Sequence, residues 1–202
     1  EITHVVRGED LLNATPKIIL LRQALGAVEL PVFAHLPLIV NSQRKKLSKR
    51  RDDVALESYQ GQGVLGSAMA NYLALLGWGP PDDVEVRPME EIVDLFELSD
   101  VNASAAMFDI KKLEAVNGDY IRAMPNEQFA SAVQPWVENE TWGNGISVED
   151  LVVMTPLIQQ RTKLLEQAPA QLDFFFLEEP IIDIAAWEKI MTNPTSVPIL
   201  ED

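Results

Sequence analysis

Apolar residues in this chain change their spacing once, and that change divides it. The first 40 residues carry short β-rich runs around a single helical stretch. Ile2 to Val6 reads as a strand, and Arg7-Gly8-Glu9-Asp10 as the turn after it. Asn13-Ala14-Thr15-Pro16 then announces a helix, with Thr15 as N-cap and Pro16 at the first helical position. Ile18, Leu21 and Leu25 form its apolar face, and Gly26 ends it. A second strand-like run, Val32 to Val40, is broken by Pro37. Strand, helix, strand within about 40 residues is the βαβ pattern of a parallel sheet. One such unit is too little for a doubly wound domain, so the chain reads as a fragment with the remainder upstream of Glu1.

Beyond Gly61-Gln62-Gly63 the spacing becomes helical. Met69, Tyr72, Leu73 and Leu76 share a face that Gly77 closes, and Gly79-Pro80-Pro81 is a firm loop. Met89, Ile92, Val93 and Phe96 mark a short helix. Asp109 caps another, turning Ile110, Leu113 and Val116 inward and Lys111 and Lys112 outward. No strand pattern interrupts this segment. From Pro125 a helix carries Phe129, Ala132, Val133 and Trp136 and ends near Pro135. Ser147 and Asp150 have capping-box spacing, and Thr155-Pro156 restarts the helix with a fresh cap. Leu172, Phe175 and Phe176 read as core rather than as base-stacking platforms.

Composition adds exclusions. The absence of cysteine removes disulfides, thiolate metal sites and cysteine nucleophiles, and His4 and His35 are the only histidines. No apolar run approaches the roughly 20 residues of a membrane span and no signal peptide opens the chain, so a cytoplasmic protein is expected. The net charge of −15 hides a strong asymmetry. Residues 1–51 hold nine Lys/Arg against four Asp/Glu, whereas the rest hold seven against twenty-seven. An acidic chain argues against broad nonspecific coating of nucleic acid, including DNA, and leaves a focused basic face.

That face is Arg44-Lys45-Lys46-Leu47-Ser48-Lys49-Arg50-Arg51, six basic residues in eight positions. Such a run is either a solvated surface or an anion site. The apolar Leu47 inside it favours a loop anchored to the body that closes on phosphates. Arg7, at the end of the first strand, is either a bidentate carboxylate ligand or the partner of Glu9 or Asp10. Lys46, Ser48 and Lys49 follow the second strand near the same sheet edge, where lysines can neutralise phosphate charge without proton transfer. No P-loop pattern is present.

Lys46-Leu47-Ser48-Lys49-Arg50 resembles the Lys-Met-Ser-Lys-Ser signature of class I aminoacyl-tRNA synthetases. Arg7-Gly8-Glu9-Asp10 to Thr15-Pro16, Phe33-Ala34-His35-Leu36-Pro37-Leu38-Ile39, Asn71 to Trp78, Phe108-Asp109, Asn117-Gly118 and Tyr120-Ile121-Arg122 resemble glutamyl-tRNA synthetases in order and spacing. The resemblance is dense over residues 1–123 and looser over 124–190. It implies joining of glutamate to its tRNA through a glutamyl-adenylate, with ATP and Mg²⁺. Arg7 then matches the arginine that grips the glutamate carboxylate, and Leu38 and Ile39 the strand whose backbone receives adenine. Lys46 and Lys49 match the catalytic signature lysines, and Ser48 and Lys49 the ATP contacts. Lys111, Lys112 and Arg122 are the candidate tRNA contacts.

The expected architecture is mixed. Residues 1–61 would be the C-terminal part of an α/β, Rossmann-like catalytic domain, 62–115 a stem-contact domain, and 116–202 part of a helical anticodon-binding domain. The other synthetase signature, a His-Ile-Gly-His variant, would lie upstream, so the isolated chain is expected to be inactive. Ala115 stands where many members have Trp, and Arg51-Asp52 where His-Gly is common. A non-catalytic tRNA-binding or protein-interaction module derived from the synthetase stays open as the alternative.

Overall fold

The computed structural model describes residues 2–48, 55–177 and 184–191, which form two compact units. Residues 1–124 and 160–165 make up the first, and residues 125–159 with 166–202 the second.

The first unit opens with β1 (His4–Gly8), a 3-10 turn (Glu9–Ala14), α1 (Thr15–Ala24) and β2 (Val32–Leu36). β1 and β2 pair in parallel, with Arg7 opposite His35, as the βαβ spacing predicts. The strand includes Arg7 and Gly8, so the expected turn is instead the last rung of β1 followed by 3-10 backbone. That backbone runs directly into α1: Ala14 is already αR, so no extended N-cap residue exists and Thr15 is the first helical residue. The other end of α1 follows the sequence closely. Gly26 takes φ +84°, its N–H donates to the Gln23 carbonyl, and the Ala27 N–H donates to the Arg22 carbonyl. This is a Schellman closure, which needs a left-handed residue at Gly26. Gly26→Ala, with open space around the new methyl group, is expected to cost about 1 kcal/mol through φ alone, measured as a urea-midpoint shift.

The apolar face of α1 departs from expectation. Leu21 is 59% and Leu25 78% exposed, because a two-stranded sheet offers no second layer to cover them among the described residues. The core lies further on, where α2 (Leu56–Gly61), α3 (Gly66–Ala74), α4 (Met89–Leu95) and α5 (Ile110–Ala123) gather. Tyr59, Val64, Ala68, Met69, Tyr72, Leu113, Val116 and Leu164 form one buried cluster. Phe108 packs edge-on to Tyr72, with centroids 5.2 Å apart. Asp109 caps α5 by accepting from the Lys111 and Lys112 N–H groups, as its position predicts.

Three details of this helical part escape the periodicity. β3 (Ile39–Val40) pairs in parallel with β4 (Ala106–Met107), a strand of two residues inside the segment expected to lack strands. Val93 and Ile110 are exposed, and the inward position on α3 belongs to Asn71 while Leu73 stays partly open. Asn71 is buried because its side chain carries backbone bonds, donating to the Glu85 carbonyl and accepting from the Arg87 N–H. Arg87 is buried too, with Nη2 held by Asp82 at 2.5 Å and by the Val84 carbonyl at 2.6 Å.

The second unit holds α6 (Asn126–Glu138), α7 (Val148–Met154), α8 (Pro156–Gln159), α9 (Ala168–Leu172) and α10 (Ile184–Ile190). α6 packs on α7 and α9 through Phe129, Ala130, Val133 and Val137, so Ala130 and Val137 replace the expected Ala132 and Trp136. Pro135 lies inside α6 rather than at its end. The capping box of Ser147 and Asp150 is present, and it holds the Asp150 carboxyl below the usual carboxylate range. Thr155 is the C-cap of α7, not a fresh N-cap, its hydroxyl lying 2.8 Å from both the Leu151 carbonyl and Asn126 Oδ1. Leu172 is core, but Phe175 is largely exposed and Phe176 stacks flat on Trp142 at 4.9 Å. The aromatic edge is therefore only partly interior.

Candidate active site

Arg7 stands at the carboxyl end of β1, the edge of a parallel sheet where ligands collect. Its expected alternative partners, Glu9 and Asp10, do not hold it. Nη2 donates to Thr15 Oγ1 at 2.6 Å and, weakly, to the Leu11 carbonyl at 3.4 Å. Nε reaches His35 Nε2 at 3.5 Å, and the same ring nitrogen lies 3.0 Å from the Thr15 hydroxyl. The guanidinium also sits 5.6 Å from the centroid of Phe33. Strand pairing places His35 there, since it is the register partner of Arg7.

The basic run begins as a hairpin. β3 leads into a turn in which Asn41 accepts from the Gln43 and Lys45 N–H groups through Oδ1 and from the Arg44 N–H through its carbonyl. Arg44 takes φ +58°, and an antiparallel bridge joins Lys46 back to Val40. The Leu47 N–H donates to the Ile39 carbonyl at 3.1 Å, and the Leu47 side chain is half-buried, which makes it an anchor as the spacing suggested. The part Asn41 plays in shaping the loop comes from the structure; asparagine at a turn is its one signal in the sequence. Lys49, Arg50 and Arg51 lie outside the described residues.

Lys46 binds Asp10 at 2.9 Å, both side chains being about half exposed. The Lys46 ammonium keeps the Asp10 carboxyl below the usual carboxylate range. This pair links the hairpin to the turn that follows Arg7, bringing the two expected sites to one edge of the first unit. Leu38 and Ile39 lie beside them. The Leu38 carbonyl accepts from the Ala106 N–H at 2.9 Å, and the Ile39 carbonyl is taken by Leu47. β3 is thus held on both flanks. Ser48 is half-buried next to Leu47.

A cleft of about 410 Å³ opens between the hairpin and the start of α5, with Leu47, Tyr59, Met107, Phe108 and Lys111 in its walls. Lys111 is exposed, whereas Lys112 pairs with Glu85 at 2.6 Å and Arg122 with Asp119 one turn back on α5. The three candidate tRNA contacts therefore start from different situations. Among the described residues no group of three His, Asp or Glu side chains is placed to hold a metal ion, and no helix is long and apolar enough to cross a membrane.

Residues 1–115 match the family model of the catalytic domain of class I tRNA synthetases (E and Q), more than half of the chain. The chain belongs to that family. It is 50% identical over 193 residues to the glutamate–tRNA ligase of Thermobifida fusca, covering 94% of this chain and 40% of the relative. The glutamate–tRNA ligase of Frankia casuarinae is 49% identical over 198 residues, at 96% and 42%. The crystal structure of a glutamate tRNA ligase from Elizabethkingia meningosepticum in complex with its amino acid superposes with a TM-score of 0.80. That match has 29% identity and covers 99% of this chain and 43% of that one. The chain thus spans about 40% of the length of the curated relatives it matches.

Proposed function

We propose that the chain is part of a glutamate–tRNA ligase, which activates glutamate with ATP to glutamyl-adenylate and transfers it to tRNA. The observation that carries this reading is the Arg7 guanidinium at a strand end, followed by a turn whose Asp10 holds Lys46 of the basic hairpin. Arg7 holds a carboxylate of glutamate, and the backbone at Leu38 and Ile39 faces adenine. A glutamate carboxylate oxygen attacks the α-phosphorus of ATP, and pyrophosphate leaves with its electron pair. Lys46 and Lys49 neutralise the phosphate charge that grows on the leaving group, and Ser48 is an ATP contact beside them. Magnesium enters with ATP as part of the substrate. In the second step a hydroxyl of the tRNA end attacks the glutamyl carbonyl and AMP departs.

Residues 62–115 take the stem-contact role and 116–202 the anticodon role, with α5 running across both. Lys111, Lys112 and Arg122 face tRNA, and the location is cytoplasmic, with neither membrane nor DNA as a partner. The exposed apolar face of α1 is covered by further chain in the complete enzyme, in keeping with the share of its relatives that this chain spans.

Two measurements test the reading. The 202-residue chain alone is expected to show no glutamate-dependent ATP–pyrophosphate exchange with tRNA present, and measurable exchange would refute its inactivity. In the complete gene product, Lys49→Ala is expected to slow exchange about 100-fold or more while leaving tRNA affinity unchanged. Equal loss of tRNA affinity, or tRNA binding with steep salt dependence and no response to ATP or glutamate in the wild type, would support a non-catalytic module instead.

A further inference from the structure

We propose that Thr15 and His35 are positioning residues for Arg7, clamping one edge of its guanidinium so that the other is aimed at the substrate carboxylate. The inference rests on the glutamate reading above. Arginine offers donors only, arranged in a flat fork, and a carboxylate offers acceptors only. Such a fork recognises a carboxylate when its plane is fixed; on an unrestrained side chain the rotamer freedom is lost on binding and weakens the grip.

Here the plane is fixed from one side. Thr15 is buried at the start of α1, with its hydroxyl 2.6 Å from Nη2. His35, set opposite Arg7 by the strand register, brings Nε2 to 3.5 Å from Nε and 3.0 Å from the same hydroxyl. With the ring proton on Nδ1, the inner hydrogens of the Nε/Nη2 edge and the Thr15 hydroxyl face acceptors. Nη2–H goes to Thr15 Oγ1 and the Thr15 hydroxyl to His35 Nε2, whose single lone pair also draws the more distant Nε–H at 3.5 Å. The Nε/Nη2 edge is then occupied by a threonine–histidine pair standing where a carboxylate's two oxygens would otherwise sit. Nη1 has no hydrogen-bond partner among the described residues, and the outer hydrogen of Nη2 has only the long Leu11 contact. The Nη1/Nη2 edge is the one left for substrate. Phe33 lies against the guanidinium and limits its tilt.

The arrangement also bears on specificity. A fixed donor fork accepts glutamate and leaves the amide NH₂ of glutamine facing a donor, which costs far more than a lost contact. A guanidinium free to swing would discriminate less.

The test is steady-state ATP–pyrophosphate exchange by the complete gene product, with tRNA present, at varied glutamate and ATP. Thr15→Val, which keeps the shape and removes the hydroxyl, is expected to raise the KM for glutamate about tenfold and leave the KM for ATP unchanged. Thr15→Ser should return glutamate KM to within about twofold of wild type. In an Arg7→Ala background Thr15→Val should add nothing, because the group it positions is gone. His35→Ala, at a half-buried site less exposed to folding failure, should reproduce the glutamate-selective change. An unchanged glutamate KM in both Thr15→Val and His35→Ala overturns the proposal. So does a parallel rise in both KM values, or a full effect in the Arg7→Ala background. If the wild type shows no glutamate-dependent exchange, or Arg7→Ala leaves the glutamate KM untouched, the underlying reading fails instead.

Discussion

Asn117→Ala is expected to destabilise the chain by on the order of 3–5 kcal/mol, read as a fall in the urea midpoint without a change of slope. Asn117 is fully buried on α5 and uses its whole side chain. Oδ1 accepts from the Leu65 N–H at 2.8 Å; Nδ2 donates to the Lys163 carbonyl at 2.6 Å and to the Gly63 carbonyl at 3.3 Å. Alanine takes this partner from the Leu65 N–H and the Lys163 carbonyl, at about 1–2 kcal/mol apiece in an interior that water does not reach, leaves the Gly63 carbonyl to the Leu165 N–H alone, and adds a small cavity. Asn117→Asp should not rescue, since it keeps the acceptor but loses both donors and buries a charge. Gly118 lies beside it on the same crowded face. A Cβ there would lie 3.1 Å from Arg122 Nη1 and 3.4 Å from Lys163 Cγ, a tight fit that the Arg122 side chain would have to relieve by a few tenths of an ångström.

Arg7→Ala is expected to lower kcat/KM for glutamate by two to three orders of magnitude in the complete gene product, about 3–4 kcal/mol. The loss should fall on glutamate and spare ATP. Removing the guanidinium would delete the charge-assisted bonds proposed for the substrate carboxylate and leave the Thr15–His35 pair without the group it holds. Arg7→Lys should recover little, because a single ammonium cannot span both Thr15 and the substrate in one plane. A glutamate KM within a factor of three of wild type for Arg7→Ala would rule out its assigned role.

Local signals were read well where a short stretch decides the geometry alone. The Gly26 closure, the Asp109 cap and the Ser147–Asp150 box each depend on a few neighbouring residues, and all three are present. The parallel pairing of β1 and β2 followed from spacing for the same reason. What escaped depends on partners distant in sequence. β4 has two residues, too few for any alternation, and exists because Leu38 and Val40 offer carbonyls to it. Asn71 and Asn117 look polar and hence exposed, yet each is buried by serving backbone groups 14 to 54 positions away. Thr15 has the sequence context of a cap, and the 3-10 turn before it redirects its hydroxyl to Arg7. In the candidate site, Arg7 and the basic run were visible as residue types and family pattern. That Asp10 binds Lys46, and that His35 stands beside Arg7, needed the register and the fold of the turn.

The return of residues 160–165 to the first unit bears on the order in which the protein is made. Leu164 joins the cluster around Tyr72, and the Leu165 N–H donates to the Gly63 carbonyl at 3.3 Å. A ribosome that has released α5 has not yet produced these groups. About forty residues, or roughly 2–8 s of synthesis, separate Met124 from Leu165. During that interval the helical segment from Pro125 emerges while Gly63 and Asn117 still await their last partners. The first unit is therefore finished late, by a strap that the chain supplies only after α6, α7 and α8 have all been synthesised.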